Sequence, residues 1–213
     1  MLYYYIMTLD IIILDLGAND GCSILKFRQI MMAKRINNYK IYSFEPSPYF
    51  QNFLKGLVDN NTIIYNKLVG IKNEQVKLYL SQEGDDGSSI YSDKESNNVQ
   101  KDLSILCESI DIVEFINKLP PHKELWIKMD IEGGEYKIIP HLHKSNCLNK
   151  INKLFIEWHH HKITSISNEM HKKTVSMVKN IEQYEWNALT HKRIARTSQH
   201  YKNFIQTVKQ LKK

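Results

Sequence analysis

Apolar residues along this chain follow two rhythms: short dense runs, and stretches spaced by three and four. The apolar-rich runs are IIIL at 11–14, IYSF at 41–44, TIIYNKL at 62–68, LWIKMDI at 125–131 and KLFIEW at 153–158. Turn residues near their ends, such as Gly17, Pro46, Gly70 and Gly133, predict buried strands. Helical spacing predicts helices over Lys26–Ile36 (preceded by Ile24 and Leu25), Phe50–Val58, Val113–Leu119, Glu135–Leu142 and Glu169–Ile181. Gln75–Leu80 alternates and is predicted to form a hairpin arm with the Thr62–Leu68 strand. Gly84–Ser89 and Ser92–Lys101 are polar and read as loops. Tyr184–Leu189 reads as a strand, Tyr201–Leu211 as a terminal helix and Leu2–Ile6 as a short edge segment. Strands alternating with helices predict an α/β fold with a mostly parallel sheet.

The turn after the first strand organises the candidate chemistry. Asp15 closes the run, and Leu16-Gly17-Ala18-Asn19-Asp20-Gly21 follows before a helix start near Ser23. Strand, glycine turn and helix N-terminus together form a nucleotide-type cradle, where glycine allows close backbone approach. A dinucleotide site needs G-x-G-x-x-G, whereas these glycines are spaced G-x-x-x-G behind an aspartate. A carboxylate there suits a cationic or hydroxyl-rich ligand better than a pyrophosphate, which favours S-adenosyl-L-methionine. Glu45 closes the second strand ahead of Pro46, where α/β folds hold a ribose diol. Asp130 ends the fourth strand beside Glu132, Gly133, Gly134 and Glu135. Glu135 is expected to favour the positive N-terminus of the helix it begins.

Composition narrows the class. The 213 residues are 42% hydrophobic, enough for one domain with a real core. A single methyltransferase-like domain over 1–213 is expected, with its core at about 9–161 and a basic part at 162–213. No apolar run reaches the ~20 residues of a membrane span, and the start lacks the basic region of a signal peptide. The 3 cysteines are far apart and in no C-x-x-C pattern, which predicts a reducing, cytoplasmic setting. The net charge of +6 falls mostly after Lys144. It reads as a solvated surface or as attraction to an acidic partner such as RNA, a nucleotide-sugar or an anionic glycan.

DLGANDGCS, FEPSP, the VG after strand three, GSS, IKMDIEGGE and IEWH occur in the order found in FkbM-type S-adenosylmethionine-dependent methyltransferases. The chain resembles that family over residues 11–161. The resemblance implies the class I methyltransferase fold: a Rossmann-like, seven-stranded, mostly parallel sheet with helices on both faces. It also implies O-methylation of a sugar, glycan or other hydroxyl-bearing metabolite. With the strand-end readings, it nominates Asp15, Gly17, Ala18, Asn19, Gly21, Glu45, Pro46, Val69, Gly70, Ser88, Ser89, Asp130 and Ile131 for the cofactor.

The transfer needs a group to take the acceptor's proton, for which His159 and Asp130 are the candidates. His159 is preferred because imidazole titrates near neutral pH. Asp130 could instead hold the methionine ammonium, or join Glu132 on a divalent cation such as magnesium. Lys128, on the face of Asp130, could pair with Glu157 or reach the acceptor. Two other readings remain: an RNA 2′-O-methyltransferase, suggested by the basic tail, and a non-catalytic module on the same fold.

Overall fold

The axis of the fold is β1 (Leu9–Leu16), whose side chains alternate between two apolar layers. The computed structural model describes residues 8–81, 87–95 and 99–186. Ile12, Leu14 and Leu16 enter one layer, Ile11 and Ile13 the other, with Ile12 to Leu14 and Leu16 fully buried. Burying each such side chain contributes about 1.5–3 kcal/mol. A strand covered on both faces has no need of polar alternation, which is why it reads as an unbroken apolar run.

β1 pairs in parallel with β2 (Tyr39–Phe44) and with β7 (His122–Met129). The sheet extends through β3 (Thr62–Tyr65) on one side and through β8 (Lys153–Ile156) and β9 (Glu182–Glu185) on the other, in the order β3-β2-β1-β7-β8-β9. Every pairing in this six-stranded sheet is parallel. Helices α1 (Cys22–Ala33) and α2 (Gln51–Lys55) pack on one face. Helices α3 (Ile112–Asn117), α4 (Glu135–Lys144) and α5 (Asn168–Met177) pack on the other. Asp111 caps α3 by accepting from the amides of Val113 (2.8 Å) and Glu114 (3.3 Å), and Ser167 caps α5 by accepting from that of Met170 (3.1 Å).

The expected α/β class and helices on both faces stand, with strands divided differently from the expected seven. The run read as one strand over 62–68 breaks at Asn66-Lys67. Its second half, β4 (Leu68–Gly70), leaves for a separate three-stranded sheet, ordered β4-β6-β5. The predicted hairpin of Gln75–Leu80 with Thr62–Leu68 is therefore not formed. β5 (Glu74–Ser81) pairs antiparallel with β6 (Val99–Asp111), a strand whose beginning had read as loop. β6 takes β4 and β5 as neighbours; Ile105 and Cys107 pack on one face and Ile110 on the other, while Leu106 is exposed. Such a half-covered strand carries little apolar signal. The expected edge segment at Leu2–Ile6, the end of the strand expected at Tyr184–Leu189, and the helix at Tyr201–Leu211 lie outside the described residues. Among the described residues no helix is long and apolar enough to cross a membrane, and the three cysteines are buried thiols outside any disulfide.

Candidate active site

β1 and β7 are adjacent, yet the chain leaves them for opposite ends of the sheet, so a crevice opens at their carboxyl ends. A cavity of about 260 Å³ lies there. Its wall runs from the β1 turn (Gly17, Ala18, Asn19, Asp20) through Glu45, Pro46 and Ser47 to Asp130, Ile131 and Glu132. Phe44, Phe50, Leu68, Val69, Leu78 and Ile90 supply an apolar side, and Glu157 and Lys162 close the far end. Among the described residues, carboxylates on the wall outnumber lysines five to three.

The β1 turn keeps its shape through glycine and short bonds. Gly17 stands at φ +80, and a Cβ there would lie 2.0 Å from the carbonyl oxygen of Asp130. The two strand ends touch at this point, and only glycine allows it. Asn19, at φ 49, donates its amide to Glu45 Oε2 at 2.8 Å, while the Ser47 amide donates to Glu45 Oε1 at 2.8 Å. Glu45 is thus aimed by backbone from both sides and is only 7% exposed. Burial pushes its carboxyl up to about 7, against the lowering pull of those two amides and of Lys128.

At the floor lies a charge cluster, of which Lys128 and Asp130 line the cavity. Lys128, 2% exposed, donates to the carbonyls of Leu16 (3.4 Å) and Gly17 and faces Asp15 at 3.7 Å and Asp130 at 3.5 Å. Burial alone would push its ammonium down, but Asp130, Asp15 and Glu45 outweigh burial and hold it above its ordinary value. Asp15 accepts from Ser23 Oγ at 2.7 Å and Ser43 Oγ at 2.9 Å.

The turn after β7 holds the acidic end. Glu132 sits at φ 52, a left-handed conformation costing a non-glycine residue about 1–2 kcal/mol. Three bonds offset this: Ser89 Oγ donates to its carbonyl at 2.6 Å, and its carboxylate pairs with Lys94, which also donates to the Gly87 carbonyl at 2.7 Å. Glu135 is fully buried and folds back from α4 to accept from the amides of Ile131 (3.0 Å) and Gly133 (2.8 Å). Its Oε1 also accepts from His159 Nδ1 at 3.1 Å.

Several expected site residues move to other roles. Asp15, expected on the wall, is fully buried below it and neutralises Lys128. Gly21 packs against α2 and the turn after it, where a Cβ would meet Leu54 Cδ2 at 3.2 Å and Leu57 Cδ1 at 2.3 Å, and Gly70 packs against Ser109 Oγ. Ser89 is buried and pins Glu132, whereas its neighbour Ser88 lines the cavity. Lys128 pairs with Asp15 and Asp130 and not with Glu157.

His159 changes most. It is wholly buried behind the wall, with Glu135, Glu132, Asp130 and Glu157 around it. Burial alone would push its imidazolium down, yet Glu135 first, then Glu157 and Glu132, raise it to about 10. It therefore does not titrate near neutrality. Gly17, Ala18, Asn19, Glu45, Pro46, Val69, Ser88, Lys128, Asp130, Ile131 and Glu132 do line one cavity. Sequence reasoning missed Ser47, Lys94, Glu157 and Lys162. The serine after Glu-Pro was the signal available for Ser47, while Lys94 lies in a polar stretch without pattern.

A family model described as a methyltransferase FkbM domain matches residues 15–191. No curated protein matches the chain. Among solved structures, the crystal structure of Methyltransferase FkbM from Methylobacillus flagellatus KT is similar, at 15% identity and a TM-score of 0.47. That similarity covers 80% of this chain and 37% of that one, so this chain spans well under half of that protein's length. Because the family match takes in most of the chain, the protein belongs to the FkbM methyltransferase family.

Proposed function

We propose that the protein is an S-adenosyl-L-methionine-dependent O-methyltransferase acting on a hydroxyl of a sugar, glycan or nucleotide-sugar. The observation that carries this is Glu45. A carboxylate held by two backbone amides at the end of β2, on the rim of a cavity whose charge is net acidic, suits a ribose diol and a cationic donor. A pyrophosphate would meet those carboxylates as like charge. When bound, S-adenosyl-L-methionine supplies a methyl group on a sulfonium, a good leaving group.

The chain's own residues position and desolvate. Glu45 takes the ribose hydroxyls. Phe44, Leu68, Val69 and Leu78 offer an apolar slot for the base, and Gly17 to Asn19 supply close backbone. Asp130 faces the ammonium side, with Lys128 fixing it from below. Asp130 and Glu157 stand on the wall at the far end and can accept the proton of an attacking hydroxyl. With no ion bound, Glu135, Glu157 and Glu132 favour the imidazolium of His159, which then holds those carboxylates in place of accepting a proton. Removing water from this end strengthens each of these contacts. Three cysteines in the thiol form fit a reducing cytoplasmic setting.

Calorimetry of the purified chain with S-adenosyl-L-methionine, followed by mass spectrometry of glycans and nucleotide-sugars incubated with labelled donor, tests the proposal. Donor binding and a mass gain of one methyl on a hydroxylated acceptor are expected. A chain that does not bind the donor would overturn it.

A further inference from the structure

We propose that Asp130, Glu132 and His159, with Glu157 beside them, form a divalent-cation site at the acceptor end of the cavity, with His159 Nε2 as its nitrogen ligand. One side-chain donor atom from each of Asp130, Glu132 and His159 falls within 4.8 Å of the others, close enough to share one ion. The inference rests on the methyl-transfer reading and specifies how that site would hold an acceptor hydroxyl.

The carboxylates alone would not make a site, because acidic groups gather without ions. The second observation is the imidazole. His159 is fully buried, and its Nε2 makes no hydrogen bond. That nitrogen points at Asp130 Oδ1 (3.7 Å), Glu132 Oε2 (3.4 Å) and Glu157 Oε1 (3.6 Å). None of these contacts is a hydrogen bond, and such separations suit ligands that surround a common centre.

The opposite nitrogen is committed. Nδ1 meets Glu135 Oε1 at 3.1 Å, and both groups are fully buried. A carboxylate accepting from Nδ1 fixes the tautomer that presents an Nε2 lone pair to the three other carboxylates. Carboxylate–histidine–metal arrangements are built this way, with the outer carboxylate raising the basicity of the ligating nitrogen. Without an ion, the lone pair must carry a proton. Charge points the same way: Asp15, Asp130, Glu132, Glu135 and Glu157 face two buried lysines, Lys94 and Lys128, leaving the cluster acidic.

Lys128 meets Asp130 through Oδ2, whereas Oδ1 faces His159. Lys94, which also donates to the Gly87 carbonyl, pairs with Glu132 Oε2, the same oxygen that faces His159, so an ion would share that atom with a fixed ammonium. Mixed oxygen and nitrogen donors suit manganese better than calcium or magnesium, which favour oxygen alone. Asp130, Glu132 and Glu157 all line the cavity, so an acceptor hydroxyl could complete the coordination and lose its proton more readily there.

The test uses the full chain, stripped with a chelator and titrated with manganese chloride by calorimetry. Electron spin-echo spectroscopy of the bound ion reports nitrogen ligation. One ion per chain is expected, with nitrogen modulation that disappears in His159→Asn. Asp130→Asn and Glu157→Gln, at partly exposed positions, should fold and weaken binding by about tenfold or more. Glu135→Gln, changing a positioning residue, should weaken it by about 10–100-fold. No binding at millimolar manganese, binding unchanged in Asp130→Asn and Glu157→Gln, or an ion without nitrogen modulation would each overturn the site and leave His159 as a buried imidazolium. Calorimetry with S-adenosyl-L-methionine on the chelated chain separates the two readings. A metal-free chain that binds the donor but no manganese overturns the cation site alone.

Discussion

Glu45 can be tested through its proton. It is 7% exposed, and its carboxyl is pushed from an ordinary 4.5 up to about 7 by burial. An acid whose folded pKa is raised contributes stability that is fully present below its unfolded pKa and is lost as pH rises through the folded value. Raising it by about 2.5 pH units corresponds to about 3 kcal/mol, withdrawn between about pH 4.5 and about pH 7. Glu45→Gln has no such titration. Urea unfolding of both proteins across this range should therefore show the wild type losing about 3 kcal/mol relative to the variant, whatever their absolute difference. The donor should oppose this loss, since ribose hydroxyls donate to the charged carboxylate and such bonds contribute about 1.5–3 kcal/mol. Wild-type affinity for S-adenosyl-L-methionine should then rise roughly 10–100-fold as pH passes through 7, and that of Glu45→Gln should stay flat. Parallel stability curves for the two proteins would refute the burial argument. Equal pH dependence of donor affinity would refute the ribose assignment.

Gly17→Ala places a Cβ 2.0 Å from the Asp130 carbonyl at a left-handed φ. Donor affinity by calorimetry and melting temperature should both fall, with turnover down by about 10²-fold. Lys128→Met leaves Asp15 a buried carboxylate without its cation and should cost about 3–5 kcal/mol by urea unfolding, part of it recovered by adding Asp15→Asn. Strict additivity of those two substitutions would refute the pairing. Trp186, stacked on Phe27 at 5.6 Å just after β9, should cost about 3–5 kcal/mol on truncation to alanine, and a change under about 1 kcal/mol in thermal unfolding would count against its place in the core.

The sequence by itself determined the parallel sheet and the strand ends around which the cavity lies. β1, β2, β7 and β8 are covered on both faces, so burial writes itself into them as apolar runs. Gly17 and Glu45 were legible for a related reason: a turn without a Cβ and a carboxylate closing a strand are local events. Tertiary structure alone decided the rest. Asp15 and Glu45 both read as carboxylates closing a strand, yet Asp15 lies opposite Ser43, two residues short of Glu45, and Ser23, Ser43 and Lys128 close over it while Glu45 stays on the rim. His159 read as a neutral base because sequence gives an imidazole its ordinary pKa. Four carboxylates, drawn from the turn after β7, the start of α4 and the end of β8, make it a buried cation or a ligand. The split at Asn66-Lys67 and the pairing of β5 with β6 were also hidden, since a strand's partner is chosen by which faces remain to be covered and its own residues do not record that choice.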